Sequence, residues 1–212
     1  MKLTDPLVLV DGIERPRFYS PLADTTAGLS GNLPHWDQRG KAAFVTFRLA
    51  DSLPSEKLVK MREDEAEWLR HHPKPWDTAT SREYDEVFNA RIEHWLDNGH
   101  GECLMRDAAI RALVESALRY FDGARYRLYG FVVMPNHVHV CFMPFEDYVL
   151  SDVLQSWKSF SAKAINKALG RSGTVWQKEY FDRYIRNGEH FDRVLRYIRR
   201  NDPSVAWLAT KG

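Results

Sequence analysis

One stretch of twenty residues constrains the fold more than any other part of the chain. Residues 125–144, RYRLYGFVVMPNHVHVCFMP, contain two runs rich in β-branched and aromatic residues on either side of Pro135-Asn136. Such runs favour strands, and Pro-Asn is a turn-forming pair. The stretch therefore predicts an antiparallel hairpin, and the fold must place this hairpin in a sheet.

The segments around the hairpin predict one more strand and a series of helices. Residues 42–50, AAFVTFRLA, alternate like a strand. Helical periods are predicted for residues 55–72, 81–99, 105–123, 151–169 and 189–201. Between Gly170 and Gly188 we expect a loop with one short extended piece. This order predicts an α+β fold, an antiparallel sheet with helices packed on one face, which leaves the other face free to hold a site.

The chain divides into two parts by composition. Residues 1–40 are rich in Gly, Pro, Ser, Thr and Asp without a period and predict an irregular N-terminal arm, followed by one domain over residues 41–212. No stretch is apolar enough for a signal peptide or a bilayer span, and Cys103 and Cys141 match no disulfide or zinc spacing. We therefore expect a cytoplasmic protein.

Residues 125–212 carry a surplus of basic residues. Residues 125–212 hold 14 Lys+Arg and 8 Asp+Glu, a balance of +6, whereas residues 1–124 hold 16 and 21, a balance of −5. A basic surplus attracts phosphates through a long-range, salt-sensitive force. Solvated helices without a partner carry as much charge, so the surplus alone leaves both explanations open.

Two histidines in the second arm of the hairpin are candidate metal ligands. Residues two apart on a strand point to the same face, so His137 and His139 share one face while Val138 and Val140 share the other. Their Cα atoms are expected about 7 Å apart, which allows both imidazoles to converge on one ion. A half-exposed strand also carries histidine for its size and hydrogen bonding, so a structural role stays open.

The last helix contributes candidates that could complete a site beside these histidines. Tyr197 and Asn201 lie at i and i+4 on one flank, outside the apolar stripe, as a possible nucleophile and a possible oxygen ligand. His190 lies on the same flank and could be a competing ligand or a proton carrier. The alternative is that Tyr197 is a boundary tyrosine with a half-buried ring and a solvated hydroxyl.

This set of residues suits phosphodiester chemistry. A divalent cation held by two imidazoles and a carbonyl could polarise a phosphodiester oxygen, while the tyrosine attacks phosphorus and a 3′-hydroxyl leaves. Nearby arginines and the ion would favour the phenolate, since free tyrosine has a pKa of about 10. Mixed nitrogen and oxygen ligation suits Mn²⁺ better than Mg²⁺, although either ion could serve in the cell.

Three motifs in this order resemble the REP-associated tyrosine transposases, which are single-tyrosine members of the HUH superfamily. They are YGFVVMPNHVHV, the Trp-Gln of VWQKEYFDRYIRN, and Tyr-Ile-x-x-Asn-x-Pro about twenty residues later. The resemblance covers about residues 42–208. It implies a ferredoxin-like fold and a metal-dependent endonuclease and strand transferase, acting on single-stranded DNA at hairpin-forming palindromes through a covalent phosphotyrosine intermediate.

The resemblance also assigns roles to individual residues. His137 and His139 match the metal-binding histidines of the family, Tyr197 matches its nucleophile, and Asn201 matches a polar position that can complete the metal shell. The implied cofactor is Mg²⁺ or Mn²⁺. The chain departs from the family pattern in its N-terminal arm and in Asp202, which is inserted where Asn-Pro is usual.

The tract before the last helix is interpreted as a DNA-contacting surface, with tryptophan for base stacking and cations for phosphates. Its candidate residues are Trp176, Gln177, Lys178, Arg183 and Arg186. Trp176 could equally be a hydrophobic plug in a loop over the sheet. Lys158 and Lys163 recur on one side of their helix and could contact the DNA backbone, or they could belong to a solvated face.

Two classes of function follow from these observations. The first is a transposase-type enzyme that acts on single-stranded or hairpin DNA as a monomer or a homodimer. The second is a non-catalytic regulator that binds DNA hairpins on the same fold. The combination of His137, His139 and Tyr197 favours the enzyme, because a binding protein has no need of all three. A replication initiator of the same superfamily is expected to carry a helicase domain, for which 212 residues leave no room.

Overall fold

The structure is a computed structural model that describes residues 16–20, 26–30, 33–73 and 76–201. Its strands are β1 (Thr26–Ser30), β2 (Leu33–Asp37), β3 (Ala43–Arg48), β4 (Tyr126–Val133), β5 (His137–Pro144) and β6 (Phe181–Tyr184). Its helices are α1 (Ser55–His71), α2 (Thr78–Tyr84), α3 (Ala90–Asp97), α4 (Ala108–Arg119), α5 (Leu150–Ala168) and α6 (Gly188–Asn201). Asp85–Asn89 is a π-helical segment and Leu104–Arg106 is a 3₁₀ turn.

Four strands form an antiparallel sheet in the order β4-β5-β3-β6. Along the chain the elements of this unit run β3-α4-β4-β5-α5-β6, which is the arrangement of a ferredoxin-like fold. The predicted α+β class is therefore confirmed. The helices α1, α2 and α3 are inserted between β3 and α4.

The hairpin predicted from residues 125–144 is confirmed as β4 and β5. The amide of Met134 donates to the carbonyl of His137 at 2.8 Å and closes the turn that contains Pro135 and Asn136. The strand predicted at residues 42–50 is β3, and the short extended piece predicted after Gly170 is β6.

One face of the sheet packs against α4 and α5 and forms the larger core. Val138, Val140 and Phe142 of β5 lie in this core with Trp157 of α5. The Trp157 indole also donates to the Tyr126 hydroxyl at 2.9 Å, so its polar atom is satisfied inside the core. These contacts explain why every second residue of β5 is apolar.

The core-facing side of α5 differs from the sequence prediction at one position. The helical period of residues 151–169 predicts that Phe160 faces the core, but this residue is 54% exposed. The next residue, Ser161, is buried instead, and its hydroxyl donates to the Trp157 carbonyl at 2.6 Å. A buried serine that hydrogen-bonds one turn back fits where a phenylalanine ring would not.

The opposite face of the sheet packs against α6, so this face is covered and not open. Leu195 and Ile198 of α6 lie in a second core with Tyr129 and Val132 of β4. A Cβ atom added at Gly130 would lie 3.4 Å from Leu195 Cδ2. A side chain larger than alanine at Gly130 would therefore meet α6, which packs closely on the face of the sheet that carries the histidines.

The segment predicted as an irregular arm contains regular structure. Strands β1 and β2 pair as an antiparallel hairpin, so the prediction is wrong for residues 26–30 and 33–37. Residues 16–20 run beside the main sheet, where the Tyr19 amide donates to the Ile185 carbonyl at 2.8 Å. The predictions for residues 1–15, and for Asp202 and Pro203, lie outside the described residues.

In the described part of the chain, no helix has the length and apolar character needed to cross a membrane.

The close approach of α6 at Gly130 gives a first prediction. Gly130→Ala adds a Cβ at an ordinary contact distance and should leave stability nearly unchanged, whereas Gly130→Val adds methyl groups where Leu195 and Ile198 already lie. We expect Gly130→Val to lower the free energy of unfolding by about 1–3 kcal/mol, measured by urea denaturation.

The matched control is Gly188→Val, because no heavy atom lies within 4 Å of a Cβ built there. If both valine variants lose the same stability, the effect is not caused by contact between β4 and α6, and this account of the packing is wrong.

Candidate active site

The two candidate ligand histidines lie side by side on β5, beneath α6. His137 and His139 point to the same face, and their Nε2 atoms are 3.0 Å apart. Both side chains are buried, with exposed fractions of 1% and 0%. The predicted convergence of the two imidazoles is therefore found in the structure.

Each imidazole is held from behind through its other ring nitrogen. His139 Nδ1 lies 2.8 Å from Thr46 Oγ1, on the neighbouring strand β3. His137 Nδ1 lies 2.8 Å from the side-chain oxygen of Asn136. The Asn136 amide nitrogen donates to the carbonyls of Leu96 (3.2 Å) and His100 (3.1 Å), which fixes the orientation of the amide.

This orientation determines the tautomer of one histidine. Since the Asn136 oxygen can only accept, His137 Nδ1 carries the hydrogen and donates it. In the neutral ring the lone pair is then on His137 Nε2, directed toward His139. Hydrogen bonds of this kind behind an imidazole are typical of metal-binding histidines, because they orient the ring and raise its basicity.

The geometry of the pair fits a metal ion. Two nitrogen ligands at about 2.1 Å from one ion, at roughly a right angle, lie about 3.0 Å apart, which is the separation of the Nε2 atoms. In the described part of the chain, no group of three or more His, Cys, Asp or Glu side chains is suited to a metal. Further ligands would therefore be amide, phenol, phosphate or water oxygens.

Tyr197 lies directly beside this pair. Its hydroxyl oxygen is 3.3 Å from His139 Nε2, and the two rings meet edge to face at 5.1 Å between centroids. Phe44 of β3 stacks on His139 at 5.5 Å and meets the Tyr197 ring edge-on at 5.9 Å. The phenol and the imidazoles are thus brought together within one chain.

Asn201 and His190 are placed differently from each other. The Asn201 amide nitrogen donates to the Tyr197 carbonyl at 3.1 Å, so this side chain lies along α6, and its role as a ligand stays a prediction. His190 Nδ1 accepts from the Arg186 amide at 3.3 Å, while its own amide donates to the Asn187 side chain at 2.9 Å. His190 therefore helps to cap the start of α6, about two turns from Tyr197.

Burial keeps the histidine pair neutral. Desolvation lowers the pKa of His137 to about 4. The pKa of His139 is held well below its usual value, first by burial and then by the neighbouring His137. At neutral pH neither ring carries an extra proton, so a metal ion does not have to displace one.

The predicted stacking role of Trp176 is contradicted by its position. The side chain is only 5% exposed, and its ring meets Phe47 edge-on at 4.9 Å between centroids. The indole nitrogen donates to the Ser161 hydroxyl at 2.9 Å. Trp176 is therefore a hydrophobic plug, because its faces are occupied by the core and are not available to a base.

Lys158 is also buried, at 8% exposure, and does not belong to a solvated face. Its ammonium group donates to the Lys178 carbonyl at 2.8 Å and lies 5.8 Å from the centre of the Tyr180 ring. Lys163, by contrast, is exposed on α5. The two lysines therefore cannot act together on one DNA surface as the helical spacing predicts.

The remaining candidates for DNA contact keep some accessibility. Lys178 and Arg186 are exposed, while Gln177 and Arg183 are half-buried. The Gln177 backbone amide donates to the Arg48 carbonyl at 2.9 Å, which extends the edge of β3. A role of these four residues in DNA binding stays a prediction.

Three residues at this site are absent from the set chosen by sequence reasoning. The sequence pattern indicates only a turn at Asn136 and only an alternating strand at Thr46 and Arg48. The strand register provides the missing signal, because Thr46 lies opposite His139 and Arg48 lies opposite His137. That register depends on which strands pair, and a single strand pattern does not reveal it.

Comparison with known proteins supports the motif resemblance. The family model described as "Transposase IS200 like" matches residues 103–201, a little under half of the chain. The matched segment contains both histidines, Tyr197 and Asn201. This match confirms the resemblance to tyrosine transposases that the sequence motifs indicate. No curated protein matches the sequence.

Two of the solved structures that are similar to this chain are described as transposases. One is a REP-associated tyrosine transposase bound to a REP hairpin, with 15% identity, a TM-score of 0.39, and coverage of 81% of this chain and 72% of that one. The other, from Deinococcus radiodurans R1, is described as a candidate transposase, with 14% identity, a TM-score of 0.31, and coverage of 78% and 96%. Both likenesses are too weak to assign a function to any residue.

The lowered histidine pKa values predict how stability depends on pH in metal-free protein. Between the unfolded pKa of about 6.5 and the folded pKa of His137, the unfolded chain binds more protons, so stability falls as the pH falls. His137 alone should remove about 3 kcal/mol of the free energy of unfolding by pH 4. Urea denaturation at a series of pH values, with chelator present, measures this slope.

His137→Gln should flatten the slope over this window. His94→Gln is the matched control, because His94 is an exposed histidine on α3. Equal slopes in wild type and His137→Gln would mean that His137 is not buried in a neutral form.

Proposed function

We propose that this protein is a cytoplasmic, metal-dependent endonuclease and strand transferase for single-stranded DNA. We further propose that it acts at hairpin-forming palindromes, through a covalent phosphotyrosine intermediate, as a monomer or a homodimer. One observation carries the proposal. The Tyr197 hydroxyl lies 3.3 Å from His139 Nε2, which in turn lies 3.0 Å from His137 Nε2.

The side chains around the pair would hold the metal and set its surroundings. His137 and His139 would be ligands through Nε2, with Asn136 and Thr46 fixing the two rings. Asn201 would add an oxygen ligand after rotating away from the Tyr197 carbonyl. When bound, Mg²⁺ or Mn²⁺ would polarise a phosphodiester oxygen and stabilise the charge that develops on it.

Tyr197 would act as the nucleophile. Its phenolic proton is lost to solvent, and the phenolate oxygen forms a bond to phosphorus. The bond from phosphorus to the 3′ oxygen breaks, and that oxygen takes up a proton and leaves as a 3′-hydroxyl. The DNA strand stays attached to the protein through a 5′-phosphotyrosine. Attack by another 3′-hydroxyl reverses these steps and joins two strands.

Cationic side chains near the site are suited to the DNA backbone. Arg183, Arg186 and Lys178 are at least partly accessible beside β6 and the start of α6. Arg193 and Arg200 lie four residues before and three residues after Tyr197, and both are exposed on α6. Such a surface would attract phosphates in a salt-dependent way, without reading sequence.

A second function, a non-catalytic regulator that binds DNA hairpins, is favoured by the burial of the pair. His137 and His139 are 1% and 0% exposed, and Phe44 and Tyr197 lie over His139. A phosphate can reach both imidazoles only if the Tyr197 ring moves. The enzyme requires this movement, whereas the regulator does not.

A covalent adduct distinguishes the two functions. Wild-type protein incubated with a labelled single-stranded hairpin oligonucleotide and Mn²⁺ should give a DNA-protein band on a denaturing gel. Tyr197→Phe removes the attacking oxygen, so it should reduce the adduct by roughly 10³-fold or more while leaving DNA affinity within about twofold.

Tyr120→Phe is the matched control and should form the adduct normally, since Tyr120 is 71% exposed and lies just after the end of α4. An adduct that survives Tyr197→Phe would move the nucleophile elsewhere, with Tyr180 and Tyr184 tested next. Wild-type protein that binds the hairpin but gives no adduct would support the regulator.

A further inference from the structure

Arg48 is a buried cation beside the histidine pair. It is the last residue of β3, lies opposite His137 in the strand register, and points to the same face as Thr46. Side chains at directly opposed positions start about 5 Å apart. The Arg48 side chain is only 2% exposed, and it is among the largest fully buried side chains in the described part of the chain.

Two nitrogens of the Arg48 guanidinium lack a hydrogen-bond partner in the described part of the chain. They are Nε and Nη1, and both are buried. Buried polar groups in proteins are nearly always paired, and an unpaired buried charge strongly disfavours the folded state. Two buried donors without a partner on one guanidinium therefore indicate a missing acceptor.

The groups around Arg48 are mostly cationic. Among charged groups, the carboxylate of Glu179 acts most strongly on Arg48, followed by Arg62, and Arg48 in turn acts on Lys158. Glu179 is paired with Arg62 at 3.3 Å. With Arg48 and Lys158 charged, three cations face one carboxylate, and this local surplus favours an anion.

Both buried cations keep their charge at neutral pH. Burial lowers the pKa of Arg48 to about 10. The pKa of Lys158 falls to about 8, first because of burial and then because of Arg48. Neither shift removes the positive charge at neutral pH, so both side chains still attract an anion.

We infer that Arg48 binds a phosphate group of the DNA strand, next to the phosphate that reaches Tyr197 and the histidines. The inference rests on the proposed function and adds a phosphate-binding residue to it. A guanidinium donates charge-assisted hydrogen bonds to phosphate oxygens. In the nearby Arg62–Glu179 pair, the Arg62 side chain is 51% exposed and the Glu179 side chain 16% exposed, and this pair would have to separate to admit the strand.

The first test is the salt dependence of DNA binding without metal. The variant is Arg48→Met, which keeps an unbranched apolar stem and removes the charge and the guanidinium donors. Affinity for a labelled single-stranded hairpin oligonucleotide should fall by roughly 10-fold to 100-fold. The slope of log affinity against log salt should become shallower by about 0.7, the value for one phosphate on a single strand.

Arg70→Met is the matched control, because Arg70 is an exposed arginine in the last turn of α1. It removes the same charge from the whole protein and should leave both affinity and slope near their wild-type values. An Arg48→Met protein that binds with the wild-type slope overturns the inference.

The second test uses inorganic phosphate and needs no DNA. At constant ionic strength, phosphate should raise the Tm of wild type but not that of Arg48→Met. Without phosphate, Arg48→Met should melt no lower than wild type, because it removes an unpaired buried charge. If phosphate does not change the Tm of wild type, and Arg48→Met melts at a lower temperature than wild type, then Arg48 stabilises the fold and does not bind an anion. This result would overturn the inference.

The results distinguish failure of the proposed function from failure of the inference about Arg48. If wild-type protein binds no oligonucleotide, the proposed function fails, and the phosphate measurement still decides whether Arg48 holds an anion. If wild-type protein binds and forms the adduct but Arg48→Met keeps its salt slope, only the inference about Arg48 fails.

Discussion

Two imidazoles held 3.0 Å apart inside the protein are the constraint on which the other features of the site depend. Such a pair can be buried only if both rings stay neutral and their outer nitrogens are bonded. Thr46 on β3 and Asn136 in the hairpin turn provide these bonds. The strand register and the turn thus serve the chemistry as well as the fold, and they leave two nitrogens directed at one place.

The inserted helices are connected to this constraint through Asn136. Its amide nitrogen donates to the carbonyl of Leu96 near the end of α3 and to that of His100 just beyond it. Because these two bonds orient the amide, they also fix which nitrogen of His137 carries the hydrogen. The helices between β3 and α4 therefore support the site from behind, while α6 brings Tyr197 to it from above through close packing at Gly130.

Much of this arrangement was predictable from the sequence, for identifiable reasons. The hairpin, the helices and the pairing of His137, His139 and Tyr197 follow from short periods and from motif order, which are local signals. Thr46 and Arg48 depend on which strand lies beside β5, and Trp176 depends on which side chains fill the core beneath it. Phe160 shows the same limit, because a helical period cannot tell a phenylalanine from the smaller Ser161 that fits inside.

The central claim is that one divalent ion is held by both imidazoles next to Tyr197. Pulsed EPR of the Mn²⁺-loaded protein, made with isotopically labelled histidine, counts the histidine nitrogens bound directly to the ion. We expect two in wild type and one in His139→Gln. No coordinated histidine nitrogen in wild type, or the same number in both proteins, would contradict the claim and separate Tyr197 from any metal chemistry at this site.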